Sequence, residues 1–207
     1  EYNGSGWANG GAFGSAGYGV RGMGTQTAAL SAGLFPPGGF NSATFKYDGS
    51  TWTSAGALPA NRATMGTAGT QTAGLAFGGS GGPAFVNTVN STYEYDGSSW
   101  TAGNDMARAS GSPYTSAYSS GSGTQTSGWA AGGGYPSPNA LTENYDGTNW
   151  TASAAMPASR RGGNCSGPQT AGLFFGGFQP PQVNTTYEYD GEGWTTGGTM
   201  NTSRSNA

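Results

Sequence analysis

After each Gln-Thr pair the chain alternates with a period of two: Ala73, Leu75 and Phe77 share one parity, Ala171, Leu173 and Phe175 repeat it, and Ser127, Trp129 and Ala131 fill the same columns. The opposite parity carries small residues, Gly74, Gly128 and Gly172. This alternation predicts strands whose small-residue face suits close packing between neighbouring sheets. A glycine pair, Gly78-Gly79, Gly132-Gly133 or Gly176-Gly177, ends each of them. A Thr/Asn/Val stretch then leads into aromatics again two apart, Tyr93 and Tyr95 or Tyr187 and Tyr189.

Those aromatics open a phrase that occurs five times: YNGSGW, YDGSTW, YDGSSW, YDGTNW and YDGEGW. Asp-Gly between two aromatic-bearing strands predicts a tight two-residue hairpin turn, because Gly and Asp or Asn tolerate positive φ; Asn3-Gly4 meets the same need. The closing residues Trp7, Trp52, Trp100, Trp150 and Trp194 lie 45, 48, 50 and 44 residues apart. A Trp burying about 200 Å² contributes several kcal/mol, so these five, and Trp129 in its strand column, are expected in the core. A second marker keeps step, GTQTAAL, GTQTAGL, GTQTSGW and GPQTAGL. A third is an Arg after most of these Trp residues, Arg62, Arg108, Arg160 and Arg204, with Arg21 lagging in the first unit. A recurrent Arg is expected to bridge neighbouring units through carbonyls or carboxylates.

Each unit therefore reads as four antiparallel strands, and a period near 47 residues points to repeat architecture. The pattern resembles the kelch repeat: LAFGG followed by Tyr93 and Trp100, and LFFGG followed by Tyr187 and Trp194. Departures are Phe45 and Glu143 at the Tyr position and SAGLFPPGG, which lacks a glycine pair at the expected register. The resemblance implies an all-β, kelch-like β-propeller of four-stranded antiparallel blades, with five blades or a segment of a larger ring. The unit boundaries are a half blade over 1–20, repeats over about 21–58, 62–106, 108–156 and 160–200, and the start of another unit at 204–207. This reads as one propeller domain in a fragment of a longer product, closing by sharing a blade between its ends or pairing half blades between copies.

Composition narrows the function. There are 41 glycines and 11 prolines, but the period and the 13% aromatic content argue for order. Only 8% of residues are charged, the net charge is −3, and the seven Lys and Arg are scattered, which argues against nucleic-acid binding. No stretch is apolar enough for a spanning helix, so no membrane insertion is expected. The chain has no histidine, which removes Ser-His-Asp and Cys-His chemistry and the histidine ligands of copper and most zinc sites. The single Cys165 lacks a neighbour to generate a thiolate and reads as an inert thiol. No catalytic residue, cofactor or metal is expected.

Recognition is sought instead in what varies between units. The loops after the strand-ending glycines place Pro beside an aromatic, giving Phe35, Phe40, Phe85, Tyr135 and Phe178 as candidate contacts, although such loops also serve to cap blades. The segment from Arg108 to Gln125 spans 17 residues where Arg62 to Gln71 and Arg160 to Gln169 span 9. This insertion carries Tyr114 and Tyr118, suited to adaptable recognition, and is expected on the face opposite the Pro/aromatic loops. The preferred function is a non-catalytic structural or adhesion module of a virion, such as a phage tail or fibre, or of a cell-surface assembly. Its partners would be a glycan or protein surface and copies of itself or other structural subunits. An intracellular kelch adaptor and a carbohydrate-active propeller enzyme are the alternatives.

Overall fold

A computed structural model describes residues 1–81, 89–108 and 117–205. The described residues form sixteen strands and no helix, in four four-stranded antiparallel sheets whose strands pair in chain order. The first sheet holds β1 (Arg21–Thr25), β2 (Ala28–Leu34), β3 (Asn41–Tyr47) and β4 (Trp52–Ala55). The second holds β5 (Gly66–Gly69), β6 (Gly74–Phe77), β7 (Thr92–Tyr95) and β8 (Trp100–Ala102). In the third are β9 (Ser120–Thr124), β10 (Ser127–Ala131), β11 (Thr142–Tyr145) and β12 (Trp150–Ser153), and in the fourth β13 (Asn164–Ser166), β14 (Gly172–Phe175), β15 (Thr185–Tyr189) and β16 (Trp194–Thr199). No helix among the described residues is long and apolar enough to cross a membrane.

The repeated phrase joins the last two strands of each sheet, but through four residues rather than two. Tyr95 pairs with Trp100, and Asp96 to Ser99 form the loop. The Asp carboxylate holds it: Oδ1 of Asp96 accepts the backbone N–H groups of Ser98 and Ser99, both at 2.8 Å. The following Gly97 has a φ of 96°, which a side chain would strain. Asp48, Asp146 and Asp190 repeat the arrangement, and in the first copy Asn3 Oδ1 accepts from Ser5 and Gly6. A short side-chain acceptor satisfying two turn N–H groups makes a longer loop as well defined as a tight turn.

The hydrophobic residues bury in three clusters, each between consecutive sheets. Leu30 meets Tyr95 and Trp100 of the second sheet, Leu75 and Phe77 meet Tyr145 and Trp150 of the third, and Trp129 meets Tyr189 of the fourth. Glycine on the facing strand permits the approach. A Cβ on Gly128 would stand 3.0 Å from Leu75, and one on Gly172 2.5 Å from Trp129. Polar contacts repeat at every junction. The indole N–H groups of Trp100, Trp150 and Trp194 donate to Thr44, Thr92 and Thr142 of the preceding sheet, at 3.1, 2.8 and 3.1 Å.

The Gln of the second marker does the same work with two bonds. Gln125 Nε2 donates to the carbonyls of Gly74 and Tyr95 at 3.0 and 2.9 Å, clasping two strands of the preceding sheet. Gln71 clasps Ala29 and Tyr47, and Gln169 clasps Gly128 and Tyr145. The Arg column reaches into the sheet that follows: Arg62 donates to Tyr93 OH and Arg160 to Tyr187 OH, each at 3.3 Å. Where the column holds Glu143 in place of Tyr, Arg108 forms an ion pair with it at 2.9 Å, both side chains being buried. Burial pushes the Glu143 carboxyl up and the Arg108 guanidinium down, and the partner charge opposes both shifts.

Three of the five phrase tryptophans are not buried as expected, Trp194 being half-buried against Tyr189 at 4.7 Å. Trp7 is 83% exposed, unlike the buried Trp100 and Trp150, and no sheet packs against it among the described residues. Trp52 is half-buried, resting on Phe13 of the N-terminal segment at 4.9 Å. In the first sheet Gly33, with φ 66°, takes the place of the first paired glycine and Leu34 that of the second. A Cβ on Gly33 would stand 2.5 Å from the Arg62 carbonyl, and one on Gly132 at the same distance from that of Arg160. That crossing chain is the reason for the glycine.

Candidate functional site

The inner strands β1, β5, β9 and β13 jointly line a cavity of about 220 Å³. They are linked sideways by Thr67 Oγ1 donating to the Gly22 carbonyl at 3.0 Å, and by Ser120 Oγ donating to that of Gly163. Arg21, Gly66, Ser120 and Asn164 occupy one register position on the four strands, and all four line the cavity. Three are small or neutral, and the first is an arginine.

Just before each inner strand stands a residue with left-handed backbone: Gly19 (φ 72°), Thr64 (57°), Tyr118 (56°) and Gly162 (59°). They form a hydrogen-bonded belt across the sheets. Thr64 N–H donates to the Gly19 carbonyl at 3.0 Å, Tyr118 N–H to that of Thr64 at 3.1 Å, and Gly162 N–H to that of Tyr118 at 3.1 Å. Two glycines adopt this geometry freely, whereas Thr64, being β-branched, is strained by it. Backbone strain of order 1–3 kcal/mol per residue persists where surrounding structure holds it, and it clusters at functional sites.

Beside the belt opens a second cavity of about 210 Å³, lined by Tyr18, Gly19, Arg21, Thr64 and Tyr118. Arg21 lines both cavities and so stands at their junction. Burial lowers its pKa, and Tyr118 is the ionisable neighbour that opposes the shift. Thr64 is buried, and its hydroxyl has no hydrogen-bond partner among the described residues. Burial raises the Tyr118 hydroxyl above its ordinary range, with Arg161 and Arg21 pulling it back.

Aromatics extend from this opening on both sides. Tyr18 packs on Phe35 at 4.8 Å and Phe35 on Phe40 at 4.7 Å. On the other flank Tyr118 lies 6.0 Å from Tyr135, and the Arg161 guanidinium is 5.0 Å from the Tyr135 ring and 4.7 Å from that of Phe178. Arg161 also donates to the Pro136 carbonyl, which fixes it across the two rings. The structure thus brings Phe35, Phe40, Tyr118, Tyr135 and Phe178 to one end of the molecule. Phe85 and Tyr114 lie outside the described residues.

Tyr118 corrects the expected placement of the insertion. The Gln-Thr turn reverses the chain at the far end of each sheet, so the segment entering an inner strand starts where the glycine loops begin, and Tyr118 lies on their face, 6.0 Å from Tyr135. Arg21, Thr64, Tyr18 and Arg161 were not legible as site residues. The signals were an Arg in a column otherwise Gly66, Ser120 and Asn164, and a Thr and a Tyr in a column otherwise Gly19 and Gly162. Arg21 belongs to the strand and takes no part in the column of Arg62, Arg108 and Arg160.

Cys165 lines the inner cavity as a neutral thiol, because burial pushes its pKa well above the ordinary value. No group of three or more His, Cys, Asp or Glu able to hold a metal occurs among the described residues. No protein-family model matches the chain, and no curated protein matches it.

Proposed function

We propose that this chain is a non-catalytic recognition module made of kelch-like units set as the blades of a β-propeller, and that it binds a glycan or a protein surface at the end where the aromatic loops meet. The observation that carries this reading is the convergence of Tyr18, Tyr118 and Arg21 on one opening, flanked by Phe35 on one side and by Tyr135, Phe178 and Arg161 on the other. Rigid aromatic rings held by neighbours offer large contact area at small entropic cost, and guanidinium groups between them add directional donors. The scaffold is suited to display, since every junction repeats the same clasps and leaves only loops and end residues to vary.

Few charges and near-verbatim repeats rich in Gly, Ser and Thr favour a structural or adhesion component of a virion or cell surface over an intracellular adaptor. A glycan array tests the site. Saturable binding is expected, lost in the Tyr135→Ala and Phe178→Ala variants while their thermal unfolding stays cooperative. Array binding that survives both substitutions would place recognition elsewhere.

A further inference from the structure

We propose that Arg21 is a specificity-determining residue for a carboxylate, and that the opening it serves takes the acidic ring of a single hexuronic- or sialic-type sugar. The inference rests on the recognition reading above and gives the ligand its chemical class.

Arg21 is a half-buried cation with no side-chain counter-ion among the described residues. The ten carboxylate side chains of the chain are Glu1, Asp48, Glu94, Asp96, Asp105, Glu143, Asp146, Glu188, Asp190 and Glu192. None lines either cavity, and the buried one, Glu143, already faces Arg108. The stretches outside the described residues, 82–88, 109–116 and 206–207, contain no Asp or Glu. Other buried arginines show what such a group requires: Arg62 and Arg160 donate to hydroxyls on the sheet that follows. The Arg21 guanidinium makes no hydrogen bond within the described residues, so its planar donors remain for an incoming group, and a carboxylate matches their geometry two bonds at a time.

The surroundings choose a sugar acid over other carboxylates. The Thr64 hydroxyl, buried at the same opening and unpartnered among the described residues, must find a partner to offset its desolvation, and a ring hydroxyl beside the carboxylate supplies one. The Tyr18 ring, 56% exposed, offers a flat face for the C–H side of a pyranose. At about 210 Å³ the opening is smaller than pockets for drug-sized ligands, about 300–1,000 Å³, and suits one ring rather than a chain. A peptide C-terminus is captured by free backbone N–H groups. Here the N–H groups of Thr64, Tyr118 and Gly162 are already donated within the belt.

The test is titration of the intact chain with sodium glucuronate and with N-acetylneuraminate, followed by NMR or calorimetry. Glucose, the methyl ester of glucuronate and a neutral tripeptide with a free C-terminus serve as comparisons. Saturable binding of at least one acid sugar is expected, at least tenfold tighter than its ester or glucose. Arg21→Asn places at this position the residue already found at 164, so the variant should fold with an unchanged melting temperature and lose at least tenfold in affinity. Thr64→Val should weaken binding several-fold. Equal binding of acid and ester, unchanged affinity in Arg21→Asn, tighter binding of the tripeptide, or no saturation by either acid would each overturn the proposal. If array binding is lost in the Phe178→Ala variant but retained in Arg21→Asn, the recognition module stands and the carboxylate assignment falls.

Discussion

At the residue scale, one carboxylate in each turn phrase couples the fold to pH. Asp96 accepts two backbone N–H groups and the hydroxyls of Ser98 and Ser99, which hold it well below the usual 3.8. Asp48, Asp146 and Asp190 are lowered by the same kind of backbone donors. A depressed folded-state pKa means that the unfolded chain takes up protons first as the solution is acidified. The stabilisation is therefore complete above the unfolded value near 3.8 and is lost progressively as pH falls below it toward the folded value. An amide can keep the turn without the titration, as Asn3 does with Ser5 and Gly6. Replacing all four Asp by Asn should leave the melting temperature at pH 7 nearly unchanged and flatten its decline between pH 5 and pH 2. An acid limb as steep as that of the parent chain would show that the turns do not carry the dependence.

At the scale of the element, the strands were readable because alternation and glycine placement are local properties. The phrase around Asp96 announced a hairpin, though not its four-residue loop, since the Asp side chain supplies a closure that residue type alone does not specify. Glu143 breaks the Tyr column, and its reason is Arg108, thirty-five residues earlier but at 2.9 Å in space. The Gln marker recurs visibly, yet its targets are carbonyls on another sheet, and nothing local to the sequence indicates them. Arg21 and Thr64 escaped notice for the same reason, because their importance lies in what the other inner strands place beside them. The clasp gives a direct expectation. Gln125→Ala removes two hydrogen bonds at a single junction, each worth about 0.5–1.5 kcal/mol net, so a loss of about 1–3 kcal/mol is expected. Urea unfolding followed by tryptophan fluorescence measures it, and an unchanged midpoint would remove the clasp from the account of how the sheets adhere.

At the scale of the molecule, stability resides in junctions between sheets, so the cost of the same substitution depends on whether a sheet follows. Leu30, Leu75 and Trp129 occupy one column and are fully buried by the next sheet, whereas Leu173 in the fourth is 36% exposed. It lines an open depression of about 430 Å³ together with Glu188 and Tyr189. The polar partners follow the same rule. Glu94 accepts from Tyr145 of the next sheet, and Asn144 from Tyr189 at 3.1 Å, while the Glu188 carboxylate takes no hydrogen bond within the described residues. Truncating a fully buried Leu costs about 2–5 kcal/mol, through lost transfer energy and the cavity left behind. Leu75→Ala should fall in that range, and Leu173→Ala below about 1 kcal/mol, because little of its contact exists to be lost. The contrast vanishes if a further unit is supplied: with a copy of residues 164–199 fused after residue 207, in register because Met200 and Arg204 occupy the places of Met156 and Arg160, Leu173→Ala should become as damaging as Leu75→Ala and the fusion should melt higher. Equal costs for the two substitutions in the unextended chain, or no gain in melting temperature on fusion, would mean that the fourth face is not built to receive another sheet.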